Sequence, residues 1–128
     1  MNLLLDTHAF LWADAEPDKL AAQARAACED PANEIVLSAA RVWEIQIKAM
    51  LGKLSLRKPL RDLLGDWVRD GGLVILPVHL AHVLRLDSLP SLHRDPFDRL
   101  LVAQALAEGW PIVSHDSAVA QYPVPVSW

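Results

Sequence analysis

Asn2-Leu3-Leu4-Leu5-Asp6 is the stretch whose reading decides the fold. Its apolar residues are consecutive and do not alternate with polar ones. That is the pattern of a strand covered on both faces, as in a parallel sheet. Ile35-Val36-Leu37, Leu73-Val74-Ile75-Leu76 and Ile112-Val113-Ser114 have the same character and predict three further strands. Val124–Val126 predicts a fifth, which Pro123 and Pro125 confine to a sheet edge.

The segments between these runs read as helices. Thr7–Ala13 turns directly out of the first strand, and the Ala-rich span Pro17–Glu29 carries a proline near its start. Ser38 is a suitable N-cap for a helix from Ala39 to about Leu51, in which Trp43, Ile47, Met50, Leu51 and Leu54 follow helical spacing. Trp43 is read as core on that face. Pro59–Arg69 is stopped by Gly71-Gly72, Leu80–Leu86 is short, and Pro96–Glu108 ends at Gly109. Residues 88–94 read as a loop. Strands alternating with helices predict an α/β fold with a mainly parallel central sheet flanked by helices, in a single domain over residues 1–128.

The 52% hydrophobic content supports a packed core and excludes a disordered chain. No apolar run approaches the ~20 residues needed to span a bilayer, so no membrane association is expected. The first residues lack the basic region of a signal peptide. Cys28 is the only cysteine, which excludes an intrachain disulfide and a cysteine-held structural zinc. A cytoplasmic protein is the expectation. The net charge of −4 argues against a nucleic-acid partner only superficially. Setting aside Asp6, Glu44, Asp95, Asp98 and Asp116 leaves 11 acids against 12 bases. Residues 41–61 hold six bases and one acid, either a solvated face or an arm for a phosphodiester substrate.

Those five acids each border an apolar run. Open parallel sheets bind ligands beyond the carboxyl ends of their strands. Asp6 and Asp116 stand at two such ends, Glu44 on the helix after the second strand, and Asp95 and Asp98 at a helix start. Clustered carboxylates repel one another and need a cation. An all-oxygen donor set suits Mg²⁺ or Mn²⁺. Two such ions hydrolyse phosphodiesters with an activated water, without a nucleophilic side chain. Simpler roles exist for each acid. Asp6 can cap a helix, Glu44 can pair with Lys48 four residues on, Asp98 can serve the helix dipole, and Asp116 can sit in a turn. Asp95, before Pro96 and three residues ahead of Asp98, resembles a capping box, so both ligand and cap stay open for it.

Four segments in this order resemble the PIN-domain ribonucleases, and within them the VapC-type toxins of toxin–antitoxin pairs. They are Leu3-Leu4-Leu5-Asp6-Thr7-His8, Ser38 with Glu44, His93 through Ala105, and Ile112-Val113-Ser114-His115-Asp116. The resemblance spans essentially the whole chain. It implies a PIN-like fold and a metal-dependent endoribonuclease, with Asp6, Glu44, Asp98 and Asp116 as the catalytic, metal-binding quartet. It also implies supporting hydroxyls at Thr7, Ser38 and Ser114, an antitoxin protein that blocks the site, and a homodimer. Asp95 departs from the usual pattern. Arg41, Lys48, Arg94 and Arg99 are the candidate contacts to an RNA substrate, and the tryptophans are candidates for base stacking. Trp12 is a candidate for a partner-binding surface.

Rival readings fail on particular residues or are left to experiment. A haloacid-dehalogenase-type phosphatase needs a second Asp two positions after the first, where this chain has His8. A receiver domain needs an Asp after the third strand, where Pro77-Val78-His79 stands. A catalytically silent PIN-like interaction module has no use for the full acid set.

Overall fold

The computed structural model describes residues 1–91 and 95–128. Among the described residues five strands form one sheet, β1 (Asn2–Leu5), β2 (Glu34–Ser38), β3 (Val74–Leu76), β4 (Ile112–Val113) and β5 (Val126–Ser127). Their order is β3-β2-β1-β4-β5, and every pairing is parallel. The helices are α1 (Thr7–Ala15), α2 (Ala22–Glu29), α3 (Ala39–Met50), α4 (Leu60–Gly71), α5 (Leu80–Arg85), α6 (Pro96–Glu108) and α7 (Ser117–Ala120). The α/β architecture with a parallel sheet is as the sequence predicts. None of the described helices is long and apolar enough to cross a membrane.

The apolar run of β1 is buried on both faces because helices cover both. Leu3 and Leu5 join Phe10, Leu37, Ile45, Leu63 and Val113 on one side. Leu4 points the other way, to Val36, Leu101, Val102 and Ile112. This alternation of direction within an unbroken apolar run makes β1 the centre of the sheet. The chain leaves β1 for β2 on one side and returns to β4 on the other. The strand order therefore reverses at β1, and the crevice at its carboxyl end is where such sheets bind ligands.

Helix ends follow the local chemistry. Ser38 Oγ accepts the Ala40 amide at 3.1 Å and starts α3. Asp95 Oδ1 accepts from the Phe97 and Asp98 amides at 2.9 and 3.4 Å, with Pro96 opening α6. Gly109 closes α6 at φ 75°, a left-handed conformation that glycine adopts without steric cost.

Three expectations are corrected. The span Pro17–Glu29 is not one helix. A 3₁₀ turn covers Pro17–Lys19, Leu20 and Ala21 are extended, and α2 starts at Ala22. The break turns Leu20 into the core, where it is 6% exposed. The fifth strand lies two residues later, at Val126–Ser127, past both prolines. The apolar stripe of α3 does not face the core, since Trp43, Met50 and Leu51 are all more than half exposed. Ala40, Arg41, Glu44 and Ile45 take the buried face instead. Trp43 packs edge-on against Phe97 at the surface, with ring centroids 5.4 Å apart.

Candidate active site

Three acids meet at the carboxyl edge of the sheet. Asp6 stands one residue past β1. Glu44 lies on α3, which leaves β2 directly. Asp98 is in the first turn of α6. All three are buried, although 38 and 54 residues of sequence separate Asp6 from Glu44 and Glu44 from Asp98. The parallel topology delivers them, because successive crossovers bring each strand end or helix start back to the same edge.

Arg41 lies at their centre, 1% exposed. Its Nη1 donates to Glu44 Oε1 at 2.7 Å and its Nη2 to Asp98 Oδ1 at 2.6 Å. The same Nη2 is 3.5 Å from Asp6 Oδ1. Burial works against the guanidinium charge, but Asp6, Asp98 and Glu44 together outweigh it and raise the Arg41 pKa. Arg41, a candidate substrate contact from the sequence, is thus engaged by the acids themselves. Its guanidinium is buried among the acids and is turned away from solvent. The acid cluster is also not uncompensated, as its sequence suggested.

Hydroxyls and a lysine fix the remaining lone pairs. Thr7 Oγ1 donates to Glu44 Oε1 at 2.7 Å, and Ser114 Oγ donates to Asp6 Oδ2 at 2.6 Å. Lys48 Nζ binds Glu44 Oε2 at 2.7 Å from the rim of the site, its side chain 40% exposed. Burial raises the Glu44 pKa, but the bonds from Lys48 and Thr7 and the charge of Arg41 overcome it. The net direction is downward, toward a firmly ionised carboxylate. Ser38 is buried at the end of β2, where its hydroxyl acts as the α3 cap.

Asp116 stands apart from the buried trio. It is exposed, its Oδ1 caps Ala118 at the start of α7, and its amide donates to Ser114 Oγ at 3.0 Å. Ser114 thus links it to Asp6. Asp95 is the α6 cap, half-buried, and its carboxylate accepts from the backbone amides of Phe97 and Asp98. Arg99 donates to the Pro90 carbonyl at 3.0 Å and the Tyr122 hydroxyl at 3.3 Å, tying α6 to both. Arg94 and His93 lie outside the described residues.

A wall of aromatic rings stands beside these acids. A cleft of about 130 Å³ is lined by Asp6, His8, Ala9, Trp12, His115, Asp116 and Trp128. Ring centroids lie 5.7 Å apart for His8 and Trp12, 5.7 Å for Trp12 and Trp128, and 5.2 Å for His115 and Trp128. Trp12 thus faces this cleft. Only the placement of the last residue beside α1 assembles the group, and no local motif announces it.

The donor set suits a hard divalent ion, because all its ligating atoms are carboxylate oxygens. The charge balance fits as well. Among the described residues Arg41 and Lys48 bring two positive charges against Asp6, Glu44 and Asp98, and Asp116 adds a further negative charge at the rim. The geometry is set by Arg41, however. Among the described residues no three His, Cys, Asp or Glu side chains converge with the spacing of a metal cage.

A family model described as the PIN domain matches residues 3–125. Ribonuclease VapC22 of Mycobacterium tuberculosis is 33% identical over 131 residues, a span covering 98% of this chain and 97% of that protein. The fold recurs in solved structures. VapBC2 from Rickettsia felis, bound to a DNA fragment from its promoter, superposes with a TM-score of 0.72 at 16% identity, covering 99% of this chain and 98% of that one. FitAcB from Neisseria gonorrhoeae superposes with a TM-score of 0.58 at 19% identity, covering 97% and 95%. With the family pattern matched along nearly its whole length and the acids gathered at the carboxyl edge of its parallel sheet, the chain belongs to the PIN-domain family.

Proposed function

We propose that this PIN-domain chain is an endoribonuclease dependent on Mg²⁺ or Mn²⁺, acting as the toxin of a toxin–antitoxin pair. The observation that carries the reading is the convergence of Asp6, Glu44 and Asp98 at one sheet edge. It occurs in a chain whose relative at 33% identity is a ribonuclease. Asp6, Glu44 and Asp98 would hold the metal, with Asp116 reaching it from the rim. When bound, the ion supplies positive charge that offsets the phosphodiester and favours hydroxide over water as the attacking group.

The chain's own residues orient and bind. Ser114 and Thr7 fix the directions of the Asp6 and Glu44 carboxylates. Lys48, at the rim, would meet a phosphate. The cleft walled by His8, Trp12, His115 and Trp128 opens beside Asp6 and Asp116, and its rings offer a stacking surface to an unpaired base. An antitoxin protein as partner is in keeping with the 33% identity to a VapC ribonuclease over nearly the whole chain. A homodimer is supported by the apolar residues that α5 leaves exposed, Leu80, Val83 and Leu84.

Incubating the purified protein with single-stranded RNA tests this reading. Cleavage is expected with Mg²⁺ or Mn²⁺, lost in chelator and restored by adding the ion back. Undiminished cleavage after exhaustive chelation would overturn the metal dependence. Absence of cleavage under all these conditions, with a range of RNAs and both metals, would overturn the nuclease reading.

A further inference from the structure

We propose that Arg41 is a tethered counter-cation that holds the three acids in the metal-free protein and competes with the divalent ion for them. The inference rests on the reading of Asp6, Glu44 and Asp98 as metal ligands.

Geometry makes the competition direct. Arg41 Nη2 lies 2.6 Å from Asp98 Oδ1 and 3.5 Å from Asp6 Oδ1. An ion held by Asp6 and Asp98 would need the carboxylate oxygens that this nitrogen engages. The guanidinium and the ion cannot share both oxygens in the arrangement seen. Charge makes the competition costly for the metal as well. A fixed positive group within the centre repels an entering cation, and burial weakens the screening between them.

Arg41 is not held as a fully satisfied structural arginine would be. Its Nε is buried without a hydrogen-bond partner, so its bonds from this site run through Nη1 and Nη2 to the acids alone. Among the described residues no hydrogen bond ties it to the backbone or to a side chain outside the cluster. A guanidinium anchored only by the acids is one that an ion binding to those acids can displace. Its neutralising role is still needed, because removing it takes one positive charge from among three close, buried carboxylates. Arg41 thus allows the empty centre to fold, and it sets a threshold that the divalent ion must exceed.

Mn²⁺ binding tests this without reference to activity. Free Mn²⁺ would be followed by electron paramagnetic resonance in titrations of wild type, Arg41→Gln and Arg41→Lys. Arg41→Gln is expected to bind Mn²⁺ at least about tenfold more tightly than wild type. Its melting temperature in chelator should be lower, and its stabilisation by Mn²⁺ larger. Arg41→Lys, which keeps the charge but not the two-pronged contact, should fall between. Equal or weaker Mn²⁺ binding by Arg41→Gln overturns the proposal while leaving the metal centre standing. No binding by any of the three proteins at millimolar Mn²⁺ overturns the metal reading beneath it. If Arg41→Gln does not fold, titrating wild type with Mg²⁺ decides the matter through the ¹⁵N resonance of Arg41 Nε–H. That signal should move as the ion binds. A resonance unchanged while Mg²⁺ raises the melting temperature to its plateau overturns the displacement.

Discussion

Ser114 Oγ donates to Asp6 Oδ2 at 2.6 Å, joining the ends of two adjacent parallel strands across 108 residues of sequence. The same oxygen accepts the Asp116 amide at 3.0 Å. One buried hydroxyl therefore sets the direction of one candidate ligand and the backbone position of another. Replacing Ser114 with Ala should reduce RNA cleavage by about 10–100-fold, the usual effect of removing a group that orients a metal ligand. The stability cost should be about 1 kcal/mol, as for one buried hydrogen bond. Steady-state cleavage and urea unfolding measured on the same preparation would check both. Full activity would show that Asp6 needs no such support.

The two acids at the start of α6 have separable roles. Asp95 caps the helix, while Asp98 is paired with Arg41 inside the site. Asp98→Asn should abolish cleavage and weaken metal binding while leaving a folded protein. Asp95→Asn should retain substantial activity and cost about 1 kcal/mol or less, because Asn is also a good cap. Cleavage assays and circular dichroism of both variants would distinguish them. The reverse pattern would reassign the third ligand to Asp95.

Glu44 predicts a pH dependence of stability. Its pKa is lowered on folding, burial notwithstanding, by Lys48, Thr7 and Arg41. The folded protein thus binds this proton more weakly than the unfolded chain. Its contribution is complete above the unfolded value of about 4.3 and is lost as pH falls through the lower folded value. Metal-free wild type should therefore lose more stability than Glu44→Gln between about pH 6 and pH 3. Urea midpoints across that range measure the difference. Parallel curves would mean that the pairing of Glu44 contributes nothing.

Trp128 tests the stacking surface. Base stacking on an aromatic side chain is worth about 1–3 kcal/mol. Trp128→Ala should therefore raise KM for a short RNA about tenfold or more, with a much smaller change in kcat. A kcat loss at constant KM would place Trp128 in the support of Asp116 and not in substrate binding.

The exposed face of α5 tests self-association. Leu84 is 59% exposed beside Leu80 and Val83. If these residues form the dimer contact, Leu84→Asp should yield a monomer in light scattering at micromolar concentration while the wild type gives a dimer mass. A wild-type monomer, or a dimeric variant, would rule out this face.

The sequence by itself determined the parallel sheet and the residues at its edge. Leu3-Leu4-Leu5 is unbroken because helices cover both of its faces, and a strand so covered has no polar positions to alternate. Ser38 and Asp95 were legible as helix caps because a cap is a local bond between a side chain and an amide two or three residues on. The acids were legible as residues that end apolar runs. What joins them was not. The run Trp43, Ile47, Met50 and Leu51 has helical spacing, but spacing identifies a face without saying which face meets the core. That was decided by Arg41 and Glu44, whose charges are buried because Asp6 and Asp98 arrive from distant segments to pair with Arg41. Pairing across 57 residues has no signature in either segment alone. A carboxylate that reads as a metal ligand from its position can equally hold a guanidinium, and only the tertiary structure showed that this site contains a cation of its own.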